Sequence, residues 1–247
     1  MAKKKKNGVL VFLLILLIFL VVGMFAFMMR SADHSDFEPI PIEPPTEPVT
    51  EPASVFDKND PNLVLVNKES VVDESYEPEE LVYIDESMRA ADRAPQYQRM
   101  QPEAAAAFEA LVNGAAEDGL TIKVTTAYRP YSYQADLYNY YLAVKGEEWT
   151  KQYSAPPGTS EHQTGLAADV SCPSINYELD VSFGETAEGA WLEQHAHEYG
   201  YILRYQEGMD AVTGYSYEPW HIRYVGTEAA EVITEKGITL EEFLGDI

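Results

Sequence analysis

The most restrictive feature of the sequence is an uncharged stretch of 22 residues, Gly8–Met29, made almost entirely of Leu, Ile, Val, Phe and Met. A helix of this length rises about 33 Å, which is enough to cross a bilayer. Lys3–Lys6 precede the stretch, and such basic clusters stay on the cytoplasmic side. The sequence therefore predicts a basic cytoplasmic tail over residues 1–7, a single transmembrane anchor over residues 8–29, and the rest of the chain outside.

A cleaved signal peptide is the alternative to an anchor. Its apolar core is normally shorter, and a small-x-small cleavage site should follow it. Here the run is long and ends in Met28-Met29-Arg30, although Ala32 keeps the alternative open. The uncleaved anchor is the favoured interpretation, and it places a single-pass protein in the cell membrane with an extracytoplasmic C-terminal part.

Residues 30–61 are rich in proline and glutamate, with four Glu-Pro pairs between Glu38 and Pro52. Proline removes amide donors and fixes φ, and the acidic side chains repel one another, so the tract is expected to be extended and to lack a core. A stalk that spaces a folded domain from the membrane is the favoured function. A ligand for another protein is the alternative.

The remaining residues, 62–247, have the composition of a folded domain. The whole chain is 46% hydrophobic, and its formal net charge is −24. This charge argues against nucleic acid as a partner, because binding to phosphates needs a basic surface. Cys172 is the single cysteine, which excludes an internal disulfide. It is expected to be a small buried residue rather than a metal ligand.

Apolar periodicity and the positions of glycine and proline predict helices and strands that mix without a regular βαβ repeat. The predicted strands cover residues 63–66, 121–127, 166–170, 201–205 and 221–225. One predicted helix begins at Pro102 and ends before Gly119. Three more cover residues 133–145, 187–199 and 227–236. The predicted fold class is α+β, with a small, mainly antiparallel sheet flanked by helices.

One histidine and one aspartate stand in a sequence that suits a metal site. His162 and Asp169 are separated by Gly165, and a turn there followed by a strand would fold the carboxylate back beside the imidazole. Both groups are good ligands for Zn²⁺. Taken alone, the pair also fits a histidine packed under a loop.

A second short segment holds another candidate ligand. His221 would supply a third ligand, and Glu218 precedes it across Pro219, where it would stand beside a metal without binding it. Three protein ligands leave a fourth position open for water, which is the arrangement of a catalytic zinc site. A neighbouring carboxylate can then accept a proton from that water.

Several motifs together resemble the VanY-type D-alanyl-D-alanine carboxypeptidases, zinc peptidases related to the VanX dipeptidases. The Ser-x-His-x-x-Gly-x-Ala-x-Asp signature of that family is met by Ser160, His162, Gly165, Ala167 and Asp169. Its Glu-x-Trp-His signature is met by Glu218, Trp220 and His221, and its Tyr-Arg-x-x-x-x-Gln element by residues 128–134. Residues 65–68 also resemble the first strand of the family.

The resemblance implies the hedgehog/DD-peptidase fold, one Zn²⁺ held by His162, Asp169 and His221, and Glu218 as the catalytic base. It implies that the substrates are peptidoglycan stem peptides, from which the C-terminal D-amino acid would be removed. Three alternatives stay open: an L,D-carboxypeptidase, a D-Ala-D-Ala dipeptidase, and a non-catalytic module that binds the cell wall.

Three more residues are candidates for substrate contact. In the family the arginine that matches Arg129 faces the active site, where its guanidinium would hold the substrate carboxylate or the developing oxyanion. Gln134 would either orient substrate or lie on a helix surface. Ser160 would either bind substrate or hydrogen-bond its own loop.

The other histidines are expected to lie outside the site. His34 belongs to the predicted stalk. His195 and His197 are two residues apart on a predicted helix, a spacing that points their side chains in different directions.

Overall fold

The structure, a computed structural model, describes Asp57, residues 59–90 and residues 94–245. The predicted cytoplasmic tail, the predicted anchor and most of the predicted stalk lie outside these residues. Within the described ranges, no helix combines the length and the apolar character that crossing a bilayer requires.

The described residues form two antiparallel sheets. The strands β1 (Val82–Tyr83) and β2 (Arg99–Met100) form a short ribbon. The main sheet consists of β3 (Lys123–Thr126), β4 (Ala167–Ser171), β5 (Tyr201–Tyr205) and β6 (Glu218–Tyr224). Its spatial order is β3-β4-β6-β5, and each neighbouring pair is antiparallel.

Helices flank the main sheet. The α-helices are α1 (Pro102–Glu117), α2 (Tyr131–Lys145), α3 (Glu147–Tyr153), α4 (Ala187–His195), α5 (Asp210–Thr213), α6 (Thr227–Lys236) and α7 (Leu240–Leu244). Short 3₁₀ helices cover Pro61–Leu63, Glu86–Met88, Pro95–Tyr97, Glu161–Thr164, Pro173–Ile175, Val181–Glu185 and Ala196–Tyr199. This mixture of helices with small antiparallel sheets confirms the predicted α+β class.

The two faces of the main sheet differ in chemistry because side chains alternate along a strand. The apolar face packs with Phe108 and Leu111 of α1, and its strand residues are Ala168, Val170, Tyr201, Ile222 and Tyr224. The opposite face, called here the polar face, carries Asp169, Arg204, His221 and Arg223, all of them buried. Strand partners share a face, as in the pairs Ala168 with Ile222 and Asp169 with His221.

A second apolar cluster closes part of the polar face. Ile202 and Val225 meet side chains of α6 and α7, among them Ala230, Ile233 and Leu240. Arg204 and Arg223 on the same face of the sheet are buried as well.

Most predicted elements are confirmed with shifted ends. The strand 201–205 and the helix 227–236 match, whereas β6 begins three residues earlier than predicted. The helix predicted over 187–199 is α-helical only to His195 and finishes as a 3₁₀ turn before Gly200. Sequence patterns did not predict α3, α5 or α7, nor the strands β1 and β2.

The strand predicted over residues 63–66 is wrong, and the resemblance of residues 65–68 to a family strand does not correspond to a strand here. The guanidinium of Arg223 donates hydrogen bonds to the carbonyls of Asn62, at 3.0 Å, and Val64, at 2.7 Å. The Asn67 side chain accepts from the amides of Glu69 and Ser70 and turns the chain. Side chains therefore satisfy backbone groups that a neighbouring strand would otherwise pair.

We expect Gly200→Ala to destabilise the protein more than the matched change Gly119→Ala. Both glycines follow a helix with positive φ, 79° and 78°, so each alanine carries a backbone cost of about 1–2 kcal/mol. A Cβ at Gly200 would also lie 2.8 Å from the Tyr224 ring and 3.1 Å from the backbone of Gly226, whereas nothing lies within 4 Å at Gly119.

Chemical denaturation measures the difference. The free energy of unfolding should fall by roughly 1–3 kcal/mol more for Gly200→Ala, which is the usual cost of overpacking. Equal losses for the two variants would contradict the close packing at the start of β5.

Candidate metal centre and active site

A tight turn brings His162 and Asp169 together. The 3₁₀ helix Glu161–Thr164 ends at Gly165, whose φ of 71° is left-handed and favours glycine. The chain then enters β4, where Asp169 lies on the polar face. The result is a distance of 3.2 Å between His162 Nε2 and Asp169 Oδ2, as the spacing around Gly165 predicted.

The third candidate ligand reaches the same point from the neighbouring strand. Asp169 of β4 and His221 of β6 are direct partners in the antiparallel ladder, and opposed residues project from the same face. His221 Nδ1 lies 2.9 Å from Asp169 Oδ1. One ligand atom from each of His162, Asp169 and His221 lies within 4.8 Å of the other two, and all three residues are buried.

The free lone pair of His162 points into this cluster. Its Nδ1 lies 2.5 Å from the Ala127 carbonyl, which can only accept, so Nδ1 carries the proton. Nε2 is buried without a hydrogen-bond partner, since its 3.2 Å contact with Asp169 lacks hydrogen-bond geometry. A metal-ligating histidine normally has this arrangement, in which a backbone carbonyl fixes the tautomer.

The charge state of the cluster follows from burial and neighbours. Burial, together with the positive charge of Arg129, lowers the pKa of His162 to about 4, so this imidazole is neutral at pH 7. Burial alone would raise the pKa of Asp169, but interactions with the two histidines hold it well below its usual range. A neutral imidazole and a carboxylate are the forms that bind a cation.

His221 is held between two carboxylates. Burial by itself lowers its pKa, but hydrogen bonds to Asp169 and Glu161 outweigh that effect and raise the pKa to about 9. Its ring also packs on Tyr205, with centroids 4.9 Å apart. Nδ1 faces Asp169 and Nε2 faces Glu161, so Nδ1 is the nitrogen available to a shared cation.

Glu218 reaches the site because β6 is irregular. Leu203 pairs with Ile222, but Tyr205 pairs with Glu218, so β6 uses four residues where β5 uses two. Pro219 lies in this irregular stretch and has no amide to donate to the ladder. Bulges of this kind redirect a side chain, and Glu218 lines the same cleft as His221 despite the odd spacing between them.

The environment of Glu218 differs from that of Asp169. Burial raises the pKa of Glu218 to about 7, against the opposing positive charge of His221. Asp169 is therefore always ionised near neutral pH, whereas Glu218 can both take and release a proton. Separated pKa values of two neighbouring carboxyl groups are typical of an acid–base site.

Arg129, Gln134 and Ser160 line the same cleft. Arg129 follows β3, and its Nε is buried without a hydrogen-bond partner. Gln134 is 2% exposed, so the alternative that it lies on a helix surface is wrong; its Nε2 donates to the Ala155 carbonyl at 2.7 Å, and its Oε1 has no partner. Ser160 is 3% exposed and makes no capping hydrogen bond to the following turn.

Sequence reasoning missed the aromatic wall of the cleft. Tyr141 of α2 packs on Trp149 of α3, which packs on Tyr153, with ring centroids 5.1 Å apart in both contacts. Tyr205 at the end of β5 and Tyr215 also line the cleft. The abundance of tyrosine was visible in the sequence, but residues 147–153 were not predicted to form a helix.

Of the remaining candidates, His195, His197 and Cys172 lie outside the cluster, as predicted. His195 contacts Glu198 at 2.8 Å and stacks on Trp191. His197 lines a different cavity, with Tyr201 and Tyr217. Cys172 is fully buried at the end of β4. His34 lies outside the described residues.

The arrangement has the parts of a hydrolytic metal centre. Two imidazoles and one carboxylate provide the nitrogen and oxygen donors that Zn²⁺ accepts, and the buried, unpartnered Nε2 of His162 fits a cation. A carboxyl group with a pKa near 7 and a partly buried guanidinium border the same cleft.

Comparison with known proteins agrees with this chemistry. Residues 97–227 match the VanY family, described as D-alanyl-D-alanine carboxypeptidase. YodJ of Bacillus subtilis (strain 168) is 40% identical over 181 residues, which cover 73% of this chain and 66% of YodJ. The matched region therefore spans about two thirds of that relative.

Two solved structures are similar in fold and sequence. The LD-carboxypeptidase LdcB superposes with a TM-score of 0.70 and 38% identity, over 76% of this chain and 89% of LdcB. A mutant of the vancomycin-resistance D,D-pentapeptidase VanY in complex with Zn(II) superposes with a TM-score of 0.63 and 30% identity. This match covers 75% of this chain and 100% of the VanY chain. The chain thus belongs to the VanY family of carboxypeptidases.

Proposed function

We propose that the protein is a zinc-dependent carboxypeptidase that removes the C-terminal D-amino acid from peptidoglycan stem peptides. The observation that carries the proposal is the meeting of His162, Asp169 and His221 within 4.8 Å in a cleft that Glu218 also lines. A non-catalytic binding module would not need a separate carboxyl group with a pKa of about 7 beside the ligands.

The metal would be held by His162 Nε2, His221 Nδ1 and the carboxylate of Asp169. Bound Zn²⁺ lowers the pKa of a water in its open position and polarises a carbonyl oxygen. Asp169 and His221 are positioned by the pairing of two adjacent strands, and His162 by the turn that precedes the first of them.

Glu218 would act as the general base and then as the general acid. Its carboxylate accepts a proton from the attacking water and returns it to the nitrogen of the leaving amino acid. In the metal-free protein burial raises the pKa of Glu218 to about 7, which suits a group that takes and returns a proton near neutral pH.

Arg129 would supply the positive charge that a carboxypeptidase needs. Its Nε is buried and unpartnered, so the guanidinium is free to donate to the terminal carboxylate or to the developing oxyanion. The unpartnered Oε1 of Gln134 and the hydroxyl of Ser160 lie in the same cleft and would orient the peptide end.

D,D-carboxypeptidase activity on a pentapeptide stem is the first candidate, and L,D-carboxypeptidase activity on a tetrapeptide stem is the second. The D,D assignment is supported by the family match. The L,D assignment is supported by the higher similarity to LdcB than to VanY, 38% against 30% identity. Hydrolysis of a free dipeptide stays a third possibility for the same site.

This substrate requires that the domain is located outside the cytoplasm. The lysine-flanked apolar stretch Gly8–Met29 and the Pro/Glu-rich residues 30–61 would anchor the domain and extend it from the membrane. Peptidoglycan lies on that side of the membrane.

Digestion of defined stem peptides tests the activity. The zinc-loaded protein should release one D-alanine from a pentapeptide or a tetrapeptide, and mass spectrometry shows which. Activity should vanish with a chelator and return with Zn²⁺, because the ligands alone do not activate water. Release that is unaffected by chelation, or no release from tripeptide, tetrapeptide, pentapeptide or dipeptide, would refute the proposal.

Glu218→Gln should abolish turnover while zinc remains bound. The amide has nearly the same shape but cannot take a proton, so kcat/KM should fall about 10²–10⁴-fold or more. Metal analysis should give the wild-type zinc content, because Glu218 is not among the three clustered ligands. Near-normal turnover in this variant would remove Glu218 from the mechanism.

The same substitution should stabilise the metal-free protein at alkaline pH. The folded-state pKa of Glu218, about 7, is above its ordinary 4.5, so the stabilising effect of its proton is present at low pH and is lost as pH rises through 7. Glu218→Gln should therefore raise the free energy of unfolding by about 1–3 kcal/mol at pH 8 and by much less at pH 5. Chemical denaturation after chelation measures both values, and an equal effect at the two pH values would contradict the buried-carboxylate account.

A further inference from the structure

A fully buried carboxylate, Glu161, stands directly behind the candidate metal centre. Its side chain has no exposed surface. It occupies the variable position of the Ser-x-His signature, between Ser160 and His162, so the motif itself assigns it no role. Its Oε2 lies 3.3 Å from Nε2 of His221, the nitrogen that faces away from Asp169.

Two buried arginines hold Glu161 in place. Arg204 Nε and Arg223 Nη1 each donate to Oε1 of Glu161 at 2.7 Å. The two oxygens of Glu161 therefore have different partners: Oε1 accepts from the two guanidinium groups, and Oε2 faces the ring of His221.

The arginines are in turn fixed from outside the site. Arg204 forms a two-armed ion pair with Glu241 of α7, at 2.9 and 2.6 Å, and Asn67 donates to Glu241 at 3.1 Å. Arg223 donates to the carbonyls of Asn62 and Val64. Two buried cations and two buried carboxylates balance, which is the condition under which such groups are tolerated.

We propose that Glu161 is a positioning residue for the metal. It accepts a hydrogen bond from the Nε2–H of His221 and so fixes the tautomer in which Nδ1 carries the free lone pair that would bind the metal. This inference rests on the proposed metal site. A carboxylate that accepts this hydrogen bond also makes the imidazole a stronger metal ligand, and losing such a partner typically weakens metal binding. His162 and His221 would thus be oriented by different means, the first by the Ala127 carbonyl and the second by a carboxylate.

The tautomer of His221 is the direct test and needs no substitution at Glu161. In ¹⁵N–¹H spectra of the zinc-loaded wild-type protein, assigned by comparison with a His221→Asn variant, the ring proton of His221 should sit on Nε2 and exchange slowly with water. A proton on Nδ1 overturns the inference while leaving zinc binding intact. Failure of the wild-type protein to bind zinc would instead refute the proposed function.

Glu161→Gln and Glu241→Gln form a matched pair of variants. Each removes one carboxylate from the same buried network, but Glu241 contacts Arg204 and Asn67 and does not contact His221. Zinc affinity is measured by competition with a chelator at pH 9, where protons compete least for the imidazole. The zinc dissociation constant should rise about 10- to 100-fold for Glu161→Gln and change little for Glu241→Gln.

The outcomes separate positioning from simple structural support. Equal changes in zinc affinity for the two folded variants would mean that Glu161 serves only the stability of the network, and the inference would fail. If Glu161→Gln does not fold, the tautomer measured in the wild-type protein decides the question alone.

Discussion

The burial of opposite charges on one face of a four-stranded sheet is the constraint on which the rest of the structure depends. Glu161 accepts from both Arg204 and Arg223 at 2.7 Å, and none of the three side chains is exposed. Removing one partner from such a set leaves an uncompensated charge in a low-dielectric interior, which costs about 3–5 kcal/mol. The helices α6 and α7 and the N-terminal segment around Val64 have to be in place for this face to be closed to water.

The same face explains why the candidate ligands are rigid. Asp169 and His221 are ladder partners, so the distance between them is fixed by strand pairing rather than by loop conformation. His162 is attached to this frame through its ring, which donates to the Ala127 carbonyl, and through its own carbonyl, which accepts from Arg129. A site held by the sheet can keep three ligand atoms together before a metal arrives, which lowers the cost of ordering them.

Local patterns predicted the parts of the fold that depend on local physics. A glycine at position 165 before a predicted strand indicated a turn that would return Asp169 to His162, and the two side chains lie 3.2 Å apart in the structure. The pairing of Asp169 with His221 joins residues 52 positions apart, and only the family motifs pointed to it. The strand predicted over 63–66 is absent because the guanidinium of Arg223 binds the carbonyls of Asn62 and Val64, contacts across 161 and 159 positions that no periodicity contains. The sequence analysis assigned no role to Glu161 for the same reason, because its partners come from the distant strands β5 and β6.

Two carboxyl groups a few residues from the candidate metal ligands end up with opposite properties, and the difference arises from backbone geometry. Glu161 faces the arginines and stays ionised, whereas the irregular stretch at Pro219 turns Glu218 into a cleft where burial dominates and the pKa rises to about 7. A regular β6 would have placed Glu218 and His221 on opposite faces, because side chains three residues apart on a strand project from opposite faces of the sheet. The bulge therefore puts a carboxyl group with a raised pKa beside the candidate metal ligands, while the paired part of the same strand holds His221 against Glu161.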